Sequence, residues 1–311
     1  MKKSILYFGI PLITLLLCSC NMLMPKKKTS SSTSSTSPTT STSSTDEKNS
    51  DTDETSDSDT DTDTDIPDID FDPGNYYGTI TDEMQGTELL NALRAINKEA
   101  QKSEVGYGSM STSASGAFKY TDYDPSSVQY DDKGQPYGTR IISFYSGNTM
   151  TSFNREHVWP NTHGGSRVED DIHMTRPTIP SENGSRGHSF YIEGMKSNKN
   201  EGWDPAMESF GEETYRGDSA RIIFYCMVAS TQLVLVDDAS LSKNTNNNQM
   251  GIISDMLSWN VRYAVQDREQ RRNAGAQYLQ GNRNPFIDHP EYACRIWGST
   301  NDKTKAACGI S

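Results

Sequence analysis

The sequence predicts an α+β fold with a mainly helical body. Three segments carry helical apolar spacing, the strand signals are few, short and non-alternating, and no internal repeat divides the chain. The first helical segment, "GTELLNALRAINKEA", opens with Thr87 as a cap and places Leu89, Leu90, Leu93 and Ile96 at helical spacing. The second, "SARIIFYCMVASTQLVLV", is apolar nearly all round and reads as the buried central helix. The third, "ISDMLSWNVRYAVQDREQRRNAGAQYLQ", begins amphipathic, becomes heavily charged and stops at Gly281, a natural C-cap. Strand signals fall on "TRIISFYS", on "NREHVWPN" and on "DIHMTRP".

Ahead of this body lie two segments of different character. "MKKSILYFGIPLITLLLCSC" pairs a basic start with an apolar run from Ile5 to Leu17 that is too short to span a bilayer comfortably. Residues 1–19 are expected to be a secretory signal peptide. "LCSC" resembles a bacterial lipobox, which makes Cys20 the lipidation site and anchors the mature protein to the outer face of a membrane. An ordinary signal peptide with a coincidental cysteine is the alternative. Residues 20–75, rich in Ser, Thr and Asp, lack the apolar surface needed to offset ordering entropy and are expected to form a disordered tether. The Asp/Thr alternation has neither the glycine turns nor the closing carboxylate of a calcium loop.

The tether also dominates the charge. The whole chain carries −13, whereas residues 76–311 hold 23 basic and 29 acidic side chains, a balance of −6. A mildly acidic body argues against a protein that grips nucleic acid along a basic face, but not against an enzyme that touches a phosphate briefly. Its length, about 235 residues, suits one sizeable core. Of the five cysteines, Cys18 leaves with the signal and Cys226 reads as a buried small hydrophobe. Cys294 and Cys308 flank a polar loop in an exported domain, so a disulfide is expected between them.

The chemistry concentrates in "NREHVWPN". On a regular strand Glu156 and His157 would point to opposite faces, but a bend near Pro160 would bring both to one centre. A carboxylate there is an oxygen ligand for a hard cation, and a neutral imidazole beside it can take a proton from water. "NTHGGSRVEDD" reads as a loop and "IHMTRPTIP" as a return strand. "SENGSRGHSFY" reads as a helix capped by Ser181, with Asn183 in its first turn and Arg186 one turn on.

"NREHVWP", "DDIHMTRP", "NGSRGHSFY", "GDSARIIFYCM" and "QGNRNPFIDHP" occur in the order found in the bacterial endonuclease I family, which includes extracellular ribonucleases and belongs to the ββα-metal (His-Me finger) nucleases. The resemblance spans roughly residues 76–295 and identifies 76–311 as an endonuclease I-like catalytic domain around a ββα-metal core. It implies that Glu156 and Asn183 bind one Mg²⁺, with Mn²⁺ or Ca²⁺ as alternatives, and that His157 is the general base. It implies largely non-specific hydrolysis of DNA, RNA or both to 5′-phosphate products. The protein is expected to be a monomer, secreted or held through Cys20 at the extracellular face of the membrane. Arg186 and Arg167 are expected to hold the scissile or product phosphate, and a backbone carbonyl to orient His157. His173 is expected to be a structural hydrogen-bonder and Trp159 a core residue. His163 and His188 lack metal-ligand partners at convincing spacing. The competing reading is a surface lipoprotein of the binding or adhesin class on an inactive nuclease-like scaffold.

Overall fold

The computed structural model describes residues 71–111, 113, 116–197 and 201–311. The signal segment, Cys20 and nearly all of the tether lie outside the described residues. In chain order the elements are α1 (Gly86–Ala100), α2 (Phe118–Thr121), β1 (Val128–Tyr130), β2 (Pro136–Gly138), β3 (Asn154–His157), β4 (Thr175–Thr178) and α3 (Pro180–Arg186). There follow α4 (Tyr215–Ala229), β5 (Val234–Leu235), β6 (Gln249–Met250), α5 (Ile253–Arg262), α6 (Asp267–Gln280), α7 (Pro285–Asp288), α8 (Glu291–Trp297) and α9 (Asp302–Ala307). The strands form three separate pairs: β1–β2 and β3–β4 antiparallel, β5–β6 parallel. The architecture is α+β, as the apolar patterns predict.

α4 is the central helix, buried on every face from Tyr215 to Val228. It packs on α5, α1 and α7, with Leu89, Leu90 and Leu93 of α1 joining Ile223, Phe224, Met256 and Trp259 in one core. Each large apolar side chain so buried contributes about 1.5–3 kcal/mol. The charged residues of α4 are tolerated because each has a partner. Arg221 makes two bonds to Glu269 at 2.6 and 2.7 Å, and Arg216 makes two to Asp204 at 2.9 and 2.7 Å.

Several boundaries differ from expectation. α1 starts at Gly86, whose φ of +52° turns the chain one residue before Thr87, and no side chain caps it. α4 stops at Ala229 rather than running through "STQLVLV", because Arg94 donates to Met227 O at 3.0 and 2.9 Å and closes its last turn. The long third helix is two helices. Arg221 Nη1 takes the Tyr263 carbonyl at 3.0 Å where α5 ends, and a capping box of Gln266 and Glu269 starts α6. Gly281 does cap α6: its φ is +95°, and a Cβ there would lie 2.4 Å from Ala100 O.

"TRIISFYS" is no strand. It makes only single bridges, Tyr123 with Ile141 and Ile142 with Thr149, since Ile141, Ser143, Phe144 and Tyr145 are all buried and the chain must wrap rather than alternate. Near the C-terminus Cys294 and Cys308 are bonded, as expected, with Cα atoms 5.7 Å apart. Cys226 is buried and free. His289 stacks on Tyr292 with ring centroids 4.6 Å apart and packs the C-terminal turn.

Candidate active site

β3 and α3 line an open cleft enclosing about 430 Å³, with Arg155, Glu156, His157, Asn183, Arg186 and His188 among its lining residues. The ladder pairs Asn154 with Thr178, Glu156 with Arg176 and His157 with Thr175. His157 is the last residue of β3, so its side chain and that of Glu156 meet the same cleft although they leave opposite faces of the strand. The strand–loop–strand–helix order supplies Asn183 from the far side. α3 begins at Pro180, with Ile179 at the cap position, so Ser181 does not cap it; proline's fixed φ suits the first helical residue.

Glu156 is 2% exposed. Its Oε1 accepts from Tyr145 Oη at 2.8 Å, and Tyr145 in turn exchanges a 2.8 Å hydrogen bond with Tyr191 Oη. Burial pushes the carboxyl up to about 7, against the opposing pull of Arg186 and the tyrosine. Oε2 takes no hydrogen bond from any described residue and is not sealed from solvent; the Asn183 amide is likewise unpartnered. A buried carboxylate with one oxygen open to the cleft, opposite a free amide oxygen, fits a single hard cation that keeps several waters. Among the described residues no three His, Cys, Asp or Glu side chains converge, so they build no imidazole- or thiolate-rich centre.

His157 is held by a residue that sequence reasoning missed. Its Nε2 lies 3.0 Å from Glu169 Oε2, so a carboxylate, not the expected backbone carbonyl, orients the ring. Glu169 is brought there by the loop between the strands, two tight turns hinged at Gly164 with φ +90°. Thr175, opposite His157 in the ladder, donates to Glu169 O at 3.2 Å and fixes the loop's return. The "VEDD" run was the signal, but nothing in it singles out the first acid. Nδ1 of His157 has no partner among the described residues and is not sealed from solvent. Burial lowers the imidazole pKa and Glu169 opposes it, so the ring favours its neutral form.

Of the two arginines expected to hold phosphate, Arg186 lines the cleft and Arg167 does not. Arg186 is 1% exposed and donates to the carbonyls of His157, Val158 and Gly187 at 3.4, 2.7 and 3.2 Å. Its Nε stands 3.6 Å from Glu156 Oε1. It therefore braces the backbone after β3 and balances Glu156 at the edge of the cleft that it helps to line. Arg167 lies outside the cleft wall, bonded to Asn248 Oδ1 at 3.2 Å and to Gln232 Oε1. His163 is buried with Nδ1 3.2 Å from Asn247 Oδ1. His173 is a buried hydrogen-bonder, Nε2 to Asn282 O at 3.2 Å, and Trp159 is wholly buried in the core.

Residues 85–291, which contain every part of this cleft, match the Endonuclease I family. The chain belongs to the endonuclease I family. The enzyme is thus a hydrolase of the endonuclease class. It is 33% identical over 228 residues to the extracellular ribonuclease of Bacillus amyloliquefaciens, covering 68% of this chain and 74% of that one. It is 34% identical over 197 residues to the extracellular ribonuclease of Bacillus subtilis (strain 168), covering 58% and 66% respectively.

Proposed function

We propose that the enzyme is a secreted or surface-tethered, metal-dependent and largely non-specific endonuclease that hydrolyses phosphodiester bonds of DNA, RNA or both to 5′-phosphate products. The single observation that carries the reading is the convergence of an open Glu156 oxygen, the Asn183 amide and the free Nδ1 of a carboxylate-held His157 on one cleft. β3 and α3 supply these groups, and the strand–strand–helix order of β3, β4 and α3 supports reading them as a ββα-metal (His-Me finger) core. Both relatives are named extracellular ribonucleases, which supports export and action on RNA.

His157 accepts a proton from the attacking water at Nδ1, while Glu169 holds Nε2–H and stabilises the imidazolium that forms. Glu156 and Asn183 would hold one Mg²⁺, with Mn²⁺ or Ca²⁺ as alternatives. When bound, that ion would supply Lewis-acid neutralisation of the charge that grows on the phosphate and leaving oxygens. Tyr145 and Arg186 fix the carboxylate so that Oε2 faces the cleft. Lipidation at Cys20 and the acidic tether would keep this cleft close to, but clear of, the envelope. Plasmid DNA and structured RNA incubated with the purified chain, with and without EDTA, test the reading. Chelator-sensitive cleavage of at least one substrate is expected, and cleavage of neither would refute it.

A further inference from the structure

Of the two arginines that line the cleft, Arg186 is 1% exposed with its Nη groups on backbone carbonyls, which leaves Arg155 as the more accessible cation. Arg155 is half-buried, lines the cleft, and sits two residues before His157, on the same face of β3. Its guanidinium carbon lies 3.9 Å from the centroid of the Tyr107 ring, and the His157 ring lies 4.9 Å from that same ring at 34°. Arg155 Nη1 donates to Tyr107 O at 2.6 Å. Tyr107 is itself tied down, its N–H donating to Asp170 Oδ1 at 2.7 Å and that of Gly106 to Asp170 O at 3.0 Å.

This bracing leaves the charge available. Among the described residues no Asp or Glu forms an ion pair with Arg155, and its Nε and Nη2 have no hydrogen-bond partner and are not sealed from solvent. A guanidinium held in place, with two adjacent free donors and no counterion, matches the two oxygens of a phosphodiester. We propose that Arg155, braced on Tyr107, is the substrate-binding residue that grips a backbone phosphate of the nucleic acid beside His157. The inference rests on the endonuclease reading and adds the contact that reading lacks.

A purely structural Arg155 would only anchor the turn at Tyr107, and Arg155→Gln separates the two roles because it keeps an N–H donor and loses the charge. Binding of a fluorescein-labelled oligonucleotide by the full chain is measured in EDTA across a salt series, alongside melting temperature and cleavage with Mg²⁺. Arg155→Gln should weaken binding about tenfold at low salt and reduce the slope of log Kd against log salt by about 0.7–1, with little change in melting. Tyr107→Ala keeps the charge and the backbone carbonyl that Nη1 bonds but removes the ring beneath the guanidinium, so it should weaken binding severalfold with the slope intact. An Arg155→Gln variant with wild-type affinity and slope overturns the proposal. Where Gln disturbs the fold, Arg155→Lys should keep the slope and weaken binding severalfold, and unchanged affinity would overturn the two-donor grip. A wild-type chain that cleaves neither DNA nor RNA refutes the nuclease reading instead.

Discussion

Replacing Glu169 by alanine removes the only side chain seen to hold the His157 ring by its Nε2. A hydrogen bond to a charged group contributes about 1.5–3 kcal/mol. Here the imidazole is 13% exposed but the carboxylate 31%, so solvent screening reduces the figure to about 1–2 kcal/mol. If that energy acts on the imidazolium formed in the transition state, kcat falls about 5–30-fold. Glu169→Gln retains an oxygen acceptor for Nε2–H and should fall less than the alanine variant. Because Glu169 does not face the cleft wall that meets substrate, KM should stay within about twofold in both variants, as should the fold by circular dichroism. Single-turnover cleavage of a short labelled duplex and a hairpin RNA would measure this. An alanine variant with wild-type kcat would show that Glu169 does not position the base.

Other consequences follow from buried groups. Tyr145→Phe removes the 2.8 Å bond to Glu156, and calorimetric Mg²⁺ affinity should drop about 10–100-fold; unchanged affinity would mean the tyrosine does not orient the carboxylate. Burial lowers His173 to about 3, so the unfolded chain binds a proton there that the folded chain refuses. That contribution is complete above about pH 6.5 and is lost as pH falls toward 3, about 2 kcal/mol between pH 7 and pH 5. Urea unfolding of His173→Gln should show a shallower acid loss than wild type over that range, and an equal loss would refute the assignment. Cys308→Ser opens a 14-residue separation and should cost about 3 kcal/mol in the same assay, with no loss contradicting a stabilising role for the bond.

How far the sequence revealed this can be followed residue by residue. The core of α1 and α4 was legible because apolar spacing alone determines which faces must be buried. The strand–loop–strand–helix order was legible because Gly164, Pro160 and Pro180 punctuate it. The split between α5 and α6 was not, because it depends on Arg221 reaching across from α4 to capture the Tyr263 carbonyl. The same limit applied at the site. Glu156, His157 and Asn183 stand in short motifs, and all three line one cleft. Glu169, Tyr145 and Tyr107 reach it from loops with no periodicity, and only tertiary contact shows which of their neighbours they serve. The depth of Arg186 was not legible either, because one-turn spacing on α3 fixes its side but not its burial, and the carbonyls after β3 take its Nη donors.

The central claim is that His157 moves the proton in a cleft built for phosphodiester hydrolysis. The most direct measurement is the single-turnover rate of His157→Ala against wild type on the same nucleic acid, at saturating Mg²⁺. A loss of about 10²–10⁴-fold with an unchanged melting temperature is predicted. A His157→Ala chain that cleaves at the wild-type rate would contradict the account.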